Sequence, residues 1–323
     1  MIKEKPTFVK YKRPSLYFHP HIETIAPALT RKIKDFSYTE RKRITTLDND
    51  FLDLDLVKNG SDAVVILSHG LEGSSARPYI RGMARAVSKA GFDVIAWNYR
   101  GCSEEMNRQL RFYHSGATED LQLIVDFALE NDYRSIHLIG FSLGGNITLK
   151  YVGEQGSNVN PQIESAVAFS VPLDLHTSCL QISKPGNFLY AKRFLKNLKA
   201  KITEKAHLMP GKIDTAPLPK LRTLIDFDDC YTAPIHGFKD AVTYYHECSS
   251  LRFVDNVRVP TLIVNALNDP FLSKECYPLT RWKDHAYITF EAPKQGGHVG
   301  FTEFRNDGIF WSEKRAISFI KTS

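Results

Sequence analysis

A serine, an aspartate and a histidine occur along this 323-residue chain in settings suited to nucleophilic acyl transfer. Gly140-Phe141-Ser142-Leu143-Gly144 stands where an apolar run, Ser135–Phe141, meets a helix-forming stretch beginning near Gly144. A sharp strand-to-helix turn strains the serine backbone and holds its hydroxyl exposed, and glycines two residues either side leave space that side chains would fill. Ile136, Leu138 and Ile139 read as a buried parallel strand, and the small residues of 143–149 suit close packing at a helix start. Ser142 is the candidate nucleophile.

A serine hydroxyl is too weakly acidic to attack an ester unaided. A histidine must take its proton, and a carboxylate must hold that imidazole in the right tautomer. The run 260–267 reads as a strand and Asn268-Asp269-Pro270 follows at once, which puts Asp269 at a strand's carboxyl end, where open α/β sheets bind ligands. Another strand, 285–292, leads to Gln295-Gly296-Gly297-His298-Val299-Gly300, whose glycines let His298 approach the serine. The chain order Ser142, Asp269, His298 is the α/β-hydrolase order. An Asp before Pro is also a common turn former, and Asp174, after the strand 165–171, is a rival acid one strand earlier. His69 and His137, in or beside strands, read as hydrogen-bonded core residues.

The tetrahedral intermediate of such chemistry needs two preorganised backbone donors. The strand Ala63–Ser68 runs into His69-Gly70-Leu71-Glu72-Gly73, so the expected oxyanion hole is the amides of Leu71 and of Leu143, the residue after the nucleophile.

These residues need a sheet to carry them, and strands alternate with helices over nearly the whole chain. The expected architecture is a mostly parallel sheet with helices on both faces. It has an N-terminal arm at 1–42, a catalytic domain at 43–323, an opening antiparallel hairpin from Arg43 to Val57, helices at 78–90 and from Ala117, and a strand at 93–99. Alternation lapses between Val171 and Val259, where a cap insertion of about 172–258 is expected. Its clearest element is a helix over 188–202 with Phe188, Ala191, Leu195, Leu198 and Ile202 on one face and Lys192, Arg193, Lys196, Lys199 and Lys201 between them. That stripe either covers the cleft or lies on a membrane.

Hydrophobic residues are 43% and charged residues 24% of the chain, which excludes disordered and fibrous classes. The five cysteines are scattered without metal-ligand spacing, and no apolar leader or membrane-length run is evident, so the expectation is a cytoplasmic protein with no metal and no cofactor. The net charge of +6 is concentrated in residues 1–45, where eleven Lys/Arg face four acids. No nucleic-acid motif accompanies that basic segment, so nucleic acid is not an expected partner; peripheral contact with a membrane through the arm or the cap helix is the alternative to a simply solvated face.

Taken together, the arm Phe18-His19-Pro20-His21-Ile22-Glu23-Thr24, the loop after Ser68, Asn98-Tyr99-Arg100-Gly101-Cys102, Tyr113-His114-Ser115-Gly116-Ala117-Thr118-Glu119-Asp120, the elbow around Ser142, Asp228-Asp229-Cys230-Tyr231-Thr232-Ala233-Pro234 and Gly296-Gly297-His298-Val299-Gly300-Phe301 resemble the YheT-like α/β-hydrolase family over nearly the full length. The resemblance implies hydrolysis of carboxylic esters, with short- to medium-chain esters or monoacylglycerols as substrates and no cofactor. A non-catalytic binding protein on a hydrolase scaffold and an acyltransferase with the same triad are the competing readings. Arg100 and His114 read as structural salt-bridging or capping residues near the cleft.

Overall fold

The computed structural model describes residues 10–304 and 307–323, so the first nine residues of the arm lie outside the described residues. Short runs too brief for core helices, rich in Val, Ile and Leu in the middle of the sheet and polar in its first strand, form the eight strands of one sheet. They are β1 (Glu40–Thr45), β2 (Phe51–Val57), β3 (Ala63–Ser68), β4 (Asp93–Asn98), β5 (Ser135–Phe141), β6 (Ile163–Phe169), β7 (Thr261–Val264) and β8 (Ile288–Glu291). Their spatial order is β1-β2-β4-β3-β5-β6-β7-β8. β2 pairs antiparallel with β1 and β4, and the remaining pairings are parallel. The chain begins with α1 (Pro20–Thr30) in the arm. Parallel neighbours require crossovers, which α2 (Pro78–Lys89), α3 (Thr118–Glu130) and α4 (Leu143–Gln155) supply between successive strands from β3 to β6.

Alternate side chains of β3 serve opposite layers. Val64 and Ile66 pack with Ile124 of α3 and Ile147 of α4. Val65 and Leu67 pack with Met83 of α2 and with Trp311, which begins the C-terminal helix. Burial on both faces is why these strands read as continuous apolar runs.

Several element ends differ from the sequence expectation. The opening ladder starts at Glu40, because Arg41 and Arg43 reach across to Asp55 and Asp53 at 2.8 and 2.7 Å and extend the pairing. β6 ends at Phe169 because Ser170 has φ 54° and turns the chain out of the ladder. β7 ends at Val264, since the buried Asn265 side chain takes over pairing by accepting from Val171 N–H at 2.7 Å and donating to Val171 O at 3.0 Å. β8 is confined to four residues, the preceding His285 being held in a turn by its amide bond to Trp282 O.

Between β6 and β7 the chain builds the helical cap: α5 (Leu175–Ile182), α6 (Phe188–Leu208), α7 (Leu224–Phe227), α8 (Ala233–Ile235) and α9 (Ala241–Cys248), with a π turn over Asp228–Thr232 between α7 and α8. α6 runs six residues beyond the predicted end. Pro210 disfavours helical backbone only at Met209, and the buried Lys205 anchors the extra turn, its Nζ donating to Asn107 O, Asn107 Oδ1 and Gln109 O at 2.6, 2.7 and 2.6 Å. After β8, α10 (Trp311–Ile320) closes the fold against α2.

α4 approaches β3 so closely that a Cβ on Gly144 would collide with the carbonyl oxygens of Ser68 and His69. Gly144→Ala should therefore destabilise the protein by about 3 kcal/mol in urea unfolding; an unchanged midpoint would show slack between the helix and the sheet.

Candidate active site

Ser142 follows β5 directly with φ 54° and ψ −119°, a conformation costly for a residue bearing a Cβ. Its amide is fixed by donation to Phe169 O at 2.9 Å, and α4 begins at the next residue. The hydroxyl thus stands at the carboxyl edge of the sheet, where the loops after β7 and β8 meet it. Ser142 Oγ lies 2.9 Å from His298 Nε2, and His298 Nδ1 lies 2.8 Å from Asp269 Oδ2. The other Asp269 oxygen accepts from Phe271 N–H at 2.9 Å, and the Phe271 ring lies against the imidazole with centroids 4.2 Å apart. The Val299 amide, at φ 57°, donates to Ser170 Oγ at 2.9 Å and pins the far side of the histidine. The rival carboxylate, Asp174, is engaged elsewhere: its Oδ1 accepts from Thr177 N–H and Thr177 Oγ1 at 2.9 and 2.8 Å and caps α5.

The loop after β3 is a tight turn closed by Gly73 N–H to Gly70 O at 3.0 Å. Its amides can be accounted for one by one. Gly70 donates to Tyr79 Oη at 2.9 Å, and Glu72 donates to Tyr113 Oη at 2.9 Å. Among the described residues the Leu71 amide has no protein acceptor, and neither has the Leu143 amide at the N-terminus of α4. Glu72 holds the turn in place although its φ is 53°. Its carboxylate accepts from Tyr113 Oη at 2.7 Å and pairs with Lys201 of α6 at 2.9 Å, while its carbonyl accepts from Arg77 at 2.7 Å. His69 is fully buried beside this turn, bonded to Gly70 O and Tyr99 N–H, and burial lowers its pKa to about 3, which keeps it a neutral core residue.

Residue type alone does not point to Tyr113, Lys201 or Tyr79 for this role. Tyr113 stands inside one of the segments that carry the family resemblance, 113–120. Arg100 is buried and structural, holding Asp48, Asp50 and Asp120 at 2.8, 3.2 and 2.8 Å. His114 accepts from Gly116 N–H at 3.2 Å, and burial depresses its pKa well below the usual histidine range.

Two cavities meet at Ser142. One, of about 130 Å³, lies under the cap and is walled by Leu143, Leu175, Ile202, Leu224 and Tyr231. The other, of about 300 Å³, lies between α1 and the start of α6 and reaches His298, Leu29, Leu189 and Arg193. Leu71 and Ser142 border both. Asp228, at the head of the π turn, faces the first cavity and accepts from Thr232 Oγ1 and Tyr245 Oη at 2.5 Å each. Enclosure pushes its carboxyl up to about 6, the two hydrogen bonds only partly opposing this. A carboxyl whose folded pKa is raised favours the folded state while protonated, so stability falls as pH rises from the unfolded value of 3.8 through about 6. Asp228→Asn removes that slope. Its stability relative to wild type should improve between pH 4 and pH 7 by about 2 kcal/mol in denaturant titrations, and parallel curves would place Asp228 in free contact with solvent.

Comparison with known proteins agrees with this architecture. The model of the alpha/beta hydrolase fold matches residues 63–304. Escherichia coli YheT, a protein named provisionally as an esterase, is 34% identical over 87% of this chain and 84% of its own length. The monoacylglycerol lipase of Saccharomyces cerevisiae is 29% identical over 81% of this chain and 60% of its own. In three dimensions, the Pyrococcus furiosus esterase Pf2001 superposes with a TM-score of 0.58 at 19% identity, covering 98% of each chain. With the parallel sheet, the strained turn at Ser142 and the cap between β6 and β7, these matches place the chain in the α/β-hydrolase family, among its YheT-like members.

Proposed function

We propose that this carboxylic ester hydrolase works through an acyl-enzyme formed on Ser142. The observation that carries the reading is the continuous hydrogen-bond chain from Ser142 Oγ through His298 to Asp269, beside two unengaged amides. His298 Nε2 takes the serine proton as Oγ attacks the carbonyl carbon. Asp269 keeps Nδ1 protonated and stabilises the imidazolium that forms. The amides of Leu71 and Leu143 receive the oxyanion, and His298 then gives its proton to the departing alkoxide; water repeats the sequence to release the acid.

The two cavities divide the substrate between them. His298 borders the larger cavity and not the smaller, so the leaving oxygen that it protonates lies on the larger side. The acyl group then enters the apolar space under the cap, against Leu143. A confined acyl site with a roomier alcohol site fits short- to medium-chain esters or monoacylglycerols, the latter being the substrate in the name of the yeast relative.

Fluorophosphonate should add once to the wild type and not to Ser142→Ala, and the variant should lose turnover of p-nitrophenyl esters by at least about 10⁴-fold. Full activity in a homogeneous Ser142→Ala preparation would remove the proposal. An acyl-enzyme that turns over only when an alcohol or thiol is supplied would make the protein an acyltransferase.

No helix among the described residues is long and apolar enough to cross a membrane. We place the protein in the cytoplasm, where its five free cysteines stay reduced, with peripheral contact to an anionic lipid surface at the mouth of the larger cavity. Leu29 and Leu189 line that mouth at 68% and 73% exposure, and Phe188 is exposed beside them. Lys192, Arg193 and Lys196 continue the same exposed face of α6, so apolar tips are followed by cations, a pattern suited to anionic headgroups. In flotation with vesicles containing phosphatidylglycerol, Leu29→Ser with Leu189→Ser should weaken binding about tenfold or more, with the thermal midpoint unchanged. Equal flotation of wild type and the double variant would show that this face is simply solvated.

A further inference from the structure

The arm motif 18–24 takes no part in the proton-transfer chain, yet it lies against both loops that carry it. Glu23, in α1, is only 1% exposed. One carboxylate oxygen accepts from Gly296 N–H at 2.6 Å, two residues before His298. The other accepts from Asn268 Nδ2 at 2.8 Å, the residue before Asp269, and from Arg13 Nη1 at 3.3 Å. Asn268 closes the ring by accepting from Gly297 N–H through Oδ1 at 3.1 Å. Next to Glu23, Thr24 Oγ1 accepts from the backbone N–H of His298 itself at 3.0 Å and donates to Pro20 O at 2.8 Å. The fit is close: a Cβ on Gly297 would come within 2.8 Å of Glu23 Cβ and 3.0 Å of the Thr24 amide.

A buried carboxylate needs its lone pairs filled, and here the donors come from the acid loop, the base loop and the arm. We infer that Glu23 and Thr24 are positioning residues that set the spacing between the Asp269 loop and the His298 loop. The inference rests on the proposed serine-hydrolase mechanism. Glu23 lines neither cavity, and Thr24, which borders the larger one, spends its hydroxyl on the His298 amide and Pro20 O. The carboxylate of Glu23 bridges a residue adjacent to the acid and a residue near the base, and the hydroxyl of Thr24 fixes the backbone from which the imidazole projects. Because α1 lies some 240 residues or more before both loops in sequence, the contact is a tertiary brace.

Two variants test this, with thermal unfolding recorded for each. Glu23→Ala removes both acceptor oxygens and should lower kcat of a soluble p-nitrophenyl ester by about 10²-fold, with KM within about threefold, because misplacement of a catalytic group by an ångström costs that much. Thr24→Val preserves shape, removes only the hydroxyl, and should lower kcat about tenfold while remaining folded. The decisive readout is coupling. In an Asp269→Ala background, where the imidazole has already lost its partner, Glu23→Ala should change kcat by less than about threefold. A purely structural role would give the same loss in both backgrounds, and unchanged kcat in Thr24→Val and Glu23→Ala would equally overturn the inference. If Ser142→Ala stays active, the mechanism itself fails. If Ser142→Ala is inactive while the arm variants behave as wild type or additively, only the brace fails.

Discussion

The structure depends on how closely α4 can start against β3 and β5. Ser142 reaches φ 54° only because Gly140 and Gly144 let the strand, the turn and the first helical turn lie on one another without a Cβ between them. The geometry does three things at once. It lifts Oγ above the sheet edge, leaves the Leu143 amide as the first unpaired donor of a helix, and brings that donor beside the turn after β3. A strained residue persists only where its surroundings over-determine it. Here the Ser142 amide bond to Phe169 O and the packing of α4 on β5 and β6 do so.

The loops that complete the site are held by buried charge in preference to apolar contact. Arg100 gathers Asp48 and Asp50 from the β1–β2 turn and Asp120 from α3, fixing the chain that leaves β4. Arg315 does the same for the end of β8 through Glu291 at 2.7 Å. Such pairs add little net stability over apolar packing, because desolvation offsets attraction, but losing one partner strands the other at a cost of about 3–5 kcal/mol. They therefore specify one arrangement of loops more than they stabilise the fold, which suits a site whose residues come from four separate segments.

The local features of the site were legible. A strand ending in Gly-x-Ser-x-Gly is written in adjacent residues, and the periodicity of β3, β5 and α3 places their core faces correctly, as Leu121, Ile124, Val125 and Ala128 show. What escaped was set by contacts across the chain. Asp174 and Asp269 both follow strands, and only the spatial reach of the histidine loop separates them. β7 is shorter than its apolar run because the Asn265 side chain, not backbone alternation, takes over pairing. Lys201 falls in the polar stripe of the predicted helix, where pattern assigns solvent, yet it is shielded against the turn of Glu72, and Lys205, beyond that helix's predicted end, is wholly buried. Partners distant in sequence leave no mark in periodicity.

Those two lysines, one helical turn apart, show how the cap is tied to the site. Burial works against the charge of each. For Lys201 the neighbouring Cys102 and Glu72 outweigh it, and its pKa is raised. Lys205 donates to carbonyl oxygens of Asn107 and Gln109 and lies over the Phe112 ring, and burial lowers its pKa to about 8. The first lysine is thus matched to a carboxylate on the turn after β3, and the second to neutral carbonyl oxygens of the loop after β4. Moving α6 away from the sheet would separate both sets at once, leaving Glu72 at its positive φ with Tyr113 and Arg77 as its remaining side-chain partners. Closure of the cap and the shape of the turn that carries the Leu71 amide are therefore one arrangement, and the mouth between α1 and α6 offers a route to Ser142 that leaves it intact.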